Sequence, residues 1–353
     1  MKTMRLIGIM SGTSLDGVDL ICVDFIFGQV NVEYHVLATH CYNYSTYWRK
    51  FLANAHHLNA SSLLELDVNY GRFLGEKVKD FIEEYNLFGI DGIASHGHTI
   101  FHQPNKGFTL QIGHGAAIQA ATKLKVISDF RSQDVALGGQ GAPLVPIGDM
   151  LLFSEYDACI NLGGFANVSY NNLANKRIAF DICPVNFVLN ELCRKIEKSF
   201  DENGEIAKTT PRDEVLLKEL NNLQFYYEPP PKSLGREWVE KTIYPILDKS
   251  ENSVQTKIST YTHHAAFQIS KILNKFQLKK VLFSGGGAKN SELLCLIKKE
   301  TTSEIIVLDD EITDYKEALV FALLGGLRLQ NKTNIFSSVT GAEKDSCSGV
   351  IYL

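Results

Sequence analysis

The chain contains no long hydrophobic run and no excess of positive charge. Its longest apolar stretch near the end, residues 318–324, is far shorter than the roughly 20 residues that a membrane-spanning helix requires. There are 35 lysine and arginine residues against 40 aspartate and glutamate residues, which gives a net charge of −5. Such a balance provides no electrostatic footprint for nucleic acid or for an acidic membrane. We therefore expect neither as a partner.

Paired-cysteine spacing is also missing. Seven cysteines are scattered over 353 residues without a CxxC pair, which argues against a structural zinc site and against a disulfide framework. Residues 6–10 are too short for the apolar core of a signal peptide. This pattern fits a reducing compartment, and we expect a cytoplasmic protein. The length indicates two domains, and the fractions of hydrophobic and charged residues are ordinary for globular proteins.

A turn rich in glycine and hydroxyl groups lies close to the amino terminus, between the apolar segments 4–10 and 18–27. Those segments predict two strands of a hairpin. The backbone N–H groups at such a tip can converge on a phosphate, and Asp16 and Asp19 beside it are suited to hold Mg²⁺ directly or through water. The turn has neither the Walker pattern GxxxxGKS/T nor a lysine. An ordinary tight hairpin is the alternative interpretation.

Strand and helix periodicities alternate along the chain, which indicates an α/β architecture. A capping box at Ser62 and Glu65 predicts the start of a long helix that continues to about residue 85. A second unit begins at residues 158–170, where strand, glycine turn and strand repeat the layout of the amino-terminal hairpin. Further strands are expected near residues 31–38, 89–95, 109–112, 125–130, 177–181, 280–284 and 305–308, and further helices near 114–123, 185–198, 257–276, 291–300 and 313–329.

The segment 129–146 follows a predicted strand and carries three glycines, two prolines and Arg131. Ligands of open α/β sheets lie beyond the carboxyl ends of strands, and arginine can bind a carboxylate or phosphate with two N–H groups. The alternative is a long connection in which Arg131 pairs with Asp129 or Asp134.

Three further positions are candidates for chemistry. Asp181 lies at the tip of a predicted strand before a helix, a position suited to catalysis or to helix capping. The glycines 285–287 join a strand to a helix and permit a flat ligand to approach the backbone. Glu317 lies in the first turn of a helix, where it can also simply favour the helix dipole.

Together these units resemble the actin-like ATPase superfamily of sugar kinases, and within it the anhydro-N-acetylmuramic acid kinase family along nearly the whole chain. The matching stretches are GIMSGTSLDGVD (8–19), SHGHT (95–99), LQIG (110–113), SDFRSQDVALGGQGAPLVP (128–146), NLGGFAN (161–167), KSLGRE (232–237), SGGGAKN (284–290), EALVFA (317–322) and SVTGA (338–342).

The resemblance implies an α/β fold of two ribonuclease-H-like domains, each a mixed sheet flanked by helices, with the active site in the cleft between them. We expect the first domain to cover residues 1–130, completed by about 331–353, and the second to cover 131–330. The implied reaction uses ATP and Mg²⁺ to open the ring of 1,6-anhydro-N-acetylmuramic acid with water and to phosphorylate O6. The product is N-acetylmuramic acid 6-phosphate, an intermediate of murein recycling. A homodimer is implied by the resemblance alone.

The resemblance also assigns roles to residues. Asp181 is the catalytic base that activates the water. Arg131, Glu317 and His96 lie on the sugar side, where an arginine suits the lactyl carboxylate. Asp16 and Asp19 are the expected Mg²⁺ ligands. The expected ATP-binding residues are Gly12, Thr13, Ser14, Leu15, Asp16, Gly17, Val18, Asp19, Gly285, Gly286 and Gly287.

The loop after Asp181 departs from the family pattern DTGPGN, because this chain has DICPVN at residues 181–186. A positive φ at Cys183 or Val185 would cost about 1 kcal/mol or more. Smaller departures are His98 for glutamine, Leu234 for threonine, and His114 followed by glycine. Three interpretations stay open: the kinase named above, a kinase for another anhydro sugar such as levoglucosan, and a catalytically impaired nucleotide-binding protein of the same fold.

Overall fold

The computed structural model describes residues 2–12, 15–28 and 31–353. The chain forms two compact units, one made of Met1–Ser154 with Tyr315–Leu353 and the other of Glu155–Asp314. The sequence-based boundaries after residues 130 and 330 differ from this division. Residues 131–154 and 315–330 lie with the first unit, since the helix around Ala318 packs directly on the strand that contains Gly8.

The strands of the described residues are β1 (Lys2–Met10), β2 (Gly17–Phe27), β3 (Val32–Asn43), β4 (Gly92–Ser95), β5 (His98–Gln103), β6 (Phe108–Ile112), β7 (Val126–Ser128), β8 (Ala158–Leu162), β9 (Phe165–Asn171), β10 (Arg177–Pro184), β11 (Lys280–Ser284), β12 (Glu304–Val307) and β13 (Val350–Tyr352).

The α-helices of the same residues are α1 (Thr46–Asn54), α2 (Ala60–Glu84), α3 (Gly115–Thr122), α4 (Ser132–Ala136), α5 (Pro146–Leu152), α6 (Asn186–Arg194), α7 (Glu205–Thr209), α8 (Glu214–Asn221), α9 (Arg236–Trp238), α10 (Tyr244–Lys249), α11 (Val254–Lys275), α12 (Ser291–Glu300), α13 (Asp310–Leu329) and α14 (Ser337–Thr340). In this described part of the chain, no helix is both long and apolar enough to cross a membrane.

The first unit is built on a six-stranded mixed sheet in the order β13-β7-β4-β1-β2-β3. β1 pairs antiparallel with β2 and parallel with β4. Side chains alternate between the two faces of a strand. Ile7 and Ile9 therefore pack in the core beside α2, whereas Gly8 faces α13. A Cβ atom at Gly8 would lie 2.0 Å from the carbonyl oxygen of Ala318, so only glycine permits this close approach.

The second unit has a five-stranded mixed sheet in the order β10-β9-β8-β11-β12. Its first three strands are antiparallel, and β11 runs parallel to both β8 and β12. The long helix α11 contributes Tyr261 and Ile269 to the buried core on this sheet. The strand–turn–strand layout thus recurs in both units. The predicted α/β class, with a mixed sheet flanked by helices in each of two units, is confirmed.

The predicted start of α2 was wrong by about one turn. Its N-cap is Asn59, whose side chain accepts a hydrogen bond of 3.0 Å from the N–H of Ser62. Ser62 and Glu65 consequently lie inside the helix and do not form a capping box. Asparagine serves as well as serine at an N-cap, so both residues offered the same signal.

Candidate functional site

The turn between β1 and β2 is closed by backbone hydrogen bonds. The last residue pair of the hairpin is Met10 with Asp19. The N–H of Leu15 donates to the carbonyl of Gly12 at 3.4 Å, and Leu15 has a positive φ of 61°. Two residues predicted to bind ATP, Thr13 and Ser14, lie outside the described residues.

The two acidic residues of this hairpin have different surroundings. Asp16 is exposed, and its carbonyl accepts a hydrogen bond of 3.1 Å from the N–H of Tyr44. Asp19 is half-buried and receives a hydrogen bond from the Cys41 thiol. The charge of Asp19 contributes to raising the pKa of Glu317, so these two carboxyl groups act on each other. In the described residues, no cluster of three or more metal-ligating side chains is present.

Arg131 binds His96 rather than either neighbouring aspartate. Its Nε and Nη2 groups approach Nε2 of His96 at 3.1 and 2.9 Å, and Nη1 donates to the carbonyl of Gly141 at 2.6 Å. Nδ1 of His96 lies 2.8 Å from the carbonyl of Gly97. A carbonyl oxygen only accepts, so the proton of this imidazole lies on Nδ1 and Nε2 accepts from the guanidinium. The alternative pairing of Arg131 with Asp129 or Asp134 was wrong.

Burial shifts the pKa values of Arg131 and His96. Desolvation lowers the pKa of Arg131 to about 10, although the nearby Glu317 opposes the shift. Burial, and then the Arg131 charge, lower the pKa of His96 well below its usual range. Glu317 is an exposed residue, yet desolvation of its carboxyl group by surrounding protein raises its pKa, and the Arg131 charge offsets part of that effect. The arrangement is a cation fixed by a neutral histidine, with a carboxylate within electrostatic range.

Asp134 holds the loop that supports Arg131. Its Oδ2 accepts from the N–H of Gly141 at 2.7 Å, and its Oδ1 accepts from Oγ1 of Thr340 at the same distance. A Cβ atom at Gly139 would lie 2.2 Å from Oδ2 of Asp134, so the loop wraps closely around this fully buried carboxyl group. The Gly141 carbonyl is thereby fixed where Arg131 uses it. From the sequence, Asp134 was considered only as an alternative ion-pair partner of Arg131, and Thr340 had no role.

In the second unit, Asp181 is positioned by residues 232–234, which follow three consecutive prolines at 229–231. Its backbone N–H donates to the carbonyl of Lys232 at 3.1 Å, and its Oδ2 accepts from the N–H of Leu234 at 2.8 Å. Burial raises the pKa of the Asp181 carboxyl group, and the Leu234 N–H offsets part of the increase. Asp181 does not cap α6, because the N-cap position belongs to Val185 and has no side-chain hydrogen bond. The capping alternative was therefore wrong.

The altered loop after Asp181 is accommodated without left-handed backbone. Neither Cys183 nor Val185 is among the described residues with a positive φ, and Val185 has a φ of −128°. Both side chains are fully buried in the core. The N–H groups of residues 185 and 187 donate to the carbonyl of Gly164. The positive φ whose cost was considered for Cys183 and Val185 is therefore not adopted at either position.

The triple-glycine turn lies against the end of β8. A Cβ atom at Gly285 would lie 2.5 Å from Oδ1 of Asn161, and one at Gly287 would lie 2.8 Å from Cβ of Leu162. Gly286 differs, because its nearest neighbour would be Nδ2 of Asn186 at 4.0 Å. Gly285 and Gly287 are thus required by packing within the unit, whereas the backbone at Gly286 presents an open surface suited to a planar ligand.

Sequence analysis also missed a buried polar cluster beneath the hairpin turn, made of Ser11, Tyr44, Tyr70 and His98. Tyr70 falls at an apolar position of the α2 pattern and Tyr44 follows the end of β3, so neither hydroxyl group gave a signal of its own. The signal that could have revealed them is that a buried tyrosine hydroxyl needs a partner.

Comparison with known proteins gives one consistent result. A sequence model of the family described as "Anhydro-N-acetylmuramic acid kinase" matches residues 4–353. A protein of that name from Bacillus thuringiensis (strain Al Hakam) is 32% identical over 381 residues, covering 99% of both chains. Another of the same name, from Actinobacillus pleuropneumoniae serotype 7, is 34% identical over 372 residues and 98% of both chains.

Solved structures are more distant. The chain is similar to the activator of the 2-hydroxyisocaproyl-CoA dehydratase from Clostridium difficile with bound ADPNP, at 15% identity. That match covers 93% of this chain and 97% of the other, with a TM-score of 0.46.

Proposed function

Because the chain belongs to the anhydro-N-acetylmuramic acid kinase family, we propose that it opens 1,6-anhydro-N-acetylmuramic acid with water and phosphorylates O6 at the expense of ATP. The product is N-acetylmuramic acid 6-phosphate, formed in murein recycling. The observation that carries the proposal is the family match over residues 4–353, which runs through both units. The presence of Asp181, Arg131 and both glycine turns supports it.

In the proposed mechanism, Asp181 takes a proton from water. Its Oδ2 is occupied by the Leu234 N–H, whereas Oδ1 accepts no hydrogen bond from any described residue and is available to the water. The water oxygen forms a bond to C1, the C1–O6 bond breaks, and O6 forms a bond to the γ-phosphorus as ADP leaves. The raised pKa of Asp181 makes it a stronger base than an exposed aspartate.

On the sugar side, we propose that Arg131 binds the lactyl carboxylate. A guanidinium has five N–H groups, and the hydrogen bonds described above use three of them. The other two lie on the terminal nitrogens, in the geometry that suits a carboxylate. Both ring nitrogens of His96 already have partners, so His96 acts by orienting Arg131. Glu317 is proposed to accept from a sugar hydroxyl group.

For the nucleotide, we propose that residues 12–19 bind the phosphates and that Gly285–Gly287 face the adenosine, with Gly286 as the point of contact. Mg²⁺ is usually held by one or two carboxylates together with substrate phosphates and water. Asp16 and Asp19 fit this donor set. When bound, the ion would neutralise charge on the phosphates.

Two broader features complete the proposal. We propose a cytoplasmic location, which the use of ATP and the seven free cysteines support. A homodimer is proposed on the family resemblance alone.

A coupled assay of ADP release tests the function directly. Purified protein receives ATP and Mg²⁺ with 1,6-anhydro-N-acetylmuramic acid, and parallel reactions contain levoglucosan or no sugar. We expect ADP release only with the muramic compound, together with a phosphorylated sugar whose ring is open. Release with levoglucosan alone would reassign the substrate, and ATP binding without release on either sugar would overturn the kinase assignment.

A further inference from the structure

The hydroxyl groups of Ser11, Tyr44 and Tyr70 form a closed ring of hydrogen bonds. Oγ of Ser11 lies 2.7 Å from the hydroxyl of Tyr44 and 2.7 Å from that of Tyr70, and the two tyrosine hydroxyls bond to each other. Ser11 has a third partner outside the ring, Nδ1 of His98 at 3.2 Å, which makes four contacts in all. All four side chains are buried, so water does not replace any of these contacts at low cost.

Counting protons fixes the state of His98. The four contacts need four protons, and the three hydroxyl groups supply three. If His98 carried its proton on Nε2, one contact would bring two lone pairs together. The fourth proton therefore lies on Nδ1 of His98, and Ser11 accepts it. Nε2 is then an acceptor, and no described residue donates to it. Burial agrees with a neutral ring, because it lowers the pKa of His98 to about 4.

The ring also connects the two ends of the amino-terminal turn. Ser11 is the last residue before Gly12, at the start of the turn. At its end, the carbonyl of Asp16 accepts the backbone N–H of Tyr44 at 3.1 Å. Tyr44 thus holds one end of the turn through its hydroxyl group and the other through its backbone. Tyr70 is a buried residue of α2, and its hydroxyl bonds to the hydroxyl groups of both Ser11 and Tyr44. The ring is therefore anchored to this helix.

We infer that Ser11, Tyr44 and Tyr70 are positioning residues that brace the turn for phosphate binding, and that their ring holds His98 in the Nδ1–H form. The bracing of a phosphate site rests on the proposed function, whereas the tautomer of His98 does not. A turn that binds phosphate through backbone amides gains from being fixed before the ligand arrives, because less ordering then opposes binding.

The test compares Tyr44→Phe with Tyr42→Phe. Tyr42 lies near the end of β3, two residues before Tyr44, and its hydroxyl bonds to Glu84 outside the ring, so this matched control also loses one tyrosine hydroxyl. Removing the Tyr44 hydroxyl leaves two contacts, Ser11 with Tyr70 and Ser11 with His98. The hydroxyl protons of Ser11 and Tyr70 suffice for both. Ser11 can then donate to Nδ1, and the Nε2–H form of His98 becomes allowed. Long-range ¹H–¹⁵N spectra of histidine-labelled protein report the tautomer, and His98→Gln identifies the His98 signals.

We expect the unmodified protein and Tyr42→Phe to show the Nδ1–H form, and Tyr44→Phe to show an increased Nε2–H population. We also expect Tyr44→Phe to weaken equilibrium binding of ATP–Mg²⁺ about fivefold, because the two ring contacts of this hydroxyl no longer fix the turn before the ligand arrives. The Nε2–H form in the unmodified protein would overturn the ring. This measurement is made on the unmodified protein, and a variant is needed only to assign the His98 signals.

The two halves of the inference fail separately. Equal ATP affinity for Tyr44→Phe and Tyr42→Phe would overturn the bracing role even if the tautomer is as inferred. If the unmodified protein bound no ATP, the proposed function and the bracing role would both fall, and the histidine spectra would still decide the proton arrangement. Binding of ATP without turnover on any sugar would reject the proposed reaction alone.

Discussion

Lys316 and Asp149 form a buried ion pair in the first unit, with 2.7 Å between Nζ and Oδ1 and side chains that are each 6% exposed. Lys316 precedes the candidate sugar-side residue Glu317 on α13, and its ammonium group also lies over the ring of Phe153. Removal of one member leaves a buried charge without its counterion, which is among the costly changes in a protein interior.

We therefore expect Lys316→Met to lower the free energy of unfolding by about 3 to 5 kcal/mol, measured by chemical denaturation. The exposed pair of Lys289 and Asp314 supplies the control, since Lys289→Met should cost less than about 1 kcal/mol. The double variant Lys316→Met with Asp149→Leu should regain much of the loss. An effect of Lys316→Met no larger than that of Lys289→Met would contradict the expectation.

Asp181→Asn should reduce kcat by about 10² to 10⁴, the usual contribution of a positioned general base. An asparagine oxygen can still accept from the Leu234 N–H, so the loop should keep its position and ATP affinity should change little. Rates from the ADP-release assay and ATP affinities from calorimetry separate the two effects. Near-normal turnover would remove Asp181 from the base role.

The pH dependence of the reaction follows from the same carboxyl group. A base with a raised pKa takes up its proton at a higher pH than a free aspartate does, and the protonated form cannot accept a proton from water. We expect kcat/KM to fall as the pH decreases through a midpoint above about 3.9, the ordinary aspartate value. A profile that stays flat down to that value would show that the rate does not depend on Asp181 ionisation.

Thr340→Val should raise the KM for the sugar about fivefold and leave the KM for ATP nearly unchanged. The substitution keeps the shape of the side chain but removes the hydroxyl that donates to Oδ1 of buried Asp134, a loss typical of one buried hydrogen bond. Asp134 would then hold the Gly141 carbonyl, and through it Arg131, less firmly. Thr122→Val, on α3, removes a threonine hydroxyl that bonds to a helix carbonyl and serves as the control. Parallel increases in both KM values would argue for a general structural effect.

Among the glycines of residues 285–287, alanine should act differently at each position. A Cβ atom fits at Gly286, so Gly286→Ala should fold normally and weaken ATP binding if the nucleotide contacts this surface. Gly287→Ala would place its Cβ atom 2.8 Å from Leu162 and should lower stability instead. Thermal unfolding and ATP titration of both variants provide the comparison. Unchanged ATP affinity in Gly286→Ala would show that the adenosine does not contact this turn.

Local patterns predicted much of the fold. The bounds of β11 and α12 agree with the expected residues 280–284 and 291–300, since a short apolar run, a glycine turn and a capping asparagine follow one another there. The motifs also predicted the family correctly, and the full-length match confirms it. These features depend on neighbours within a few residues, which is the range that sequence periodicity covers.

Contacts between distant segments were beyond such patterns. Asp134 and Thr340 are 206 positions apart, and nothing in either motif indicates that they share a hydrogen bond. The same holds for Asp181 and Leu234, which are 53 positions apart. Pairings of this kind are determined by how sheets and loops fold together. The sequence alone does not distinguish an aspartate that supports another residue from one that takes part in the reaction.

The close approach of α13 to the sheet has a consequence for how the protein opens. Residues 318–324 of this helix are almost completely buried, and Gly8 and Gly325 let backbone meet backbone or small side chains with no intervening layer. Separating α13 from the sheet would expose both surfaces at once, so its amides should exchange with deuterated water only through the largest unfolding events. The stretch that carries Glu317 is thereby attached to the slowest-exchanging part of the first unit.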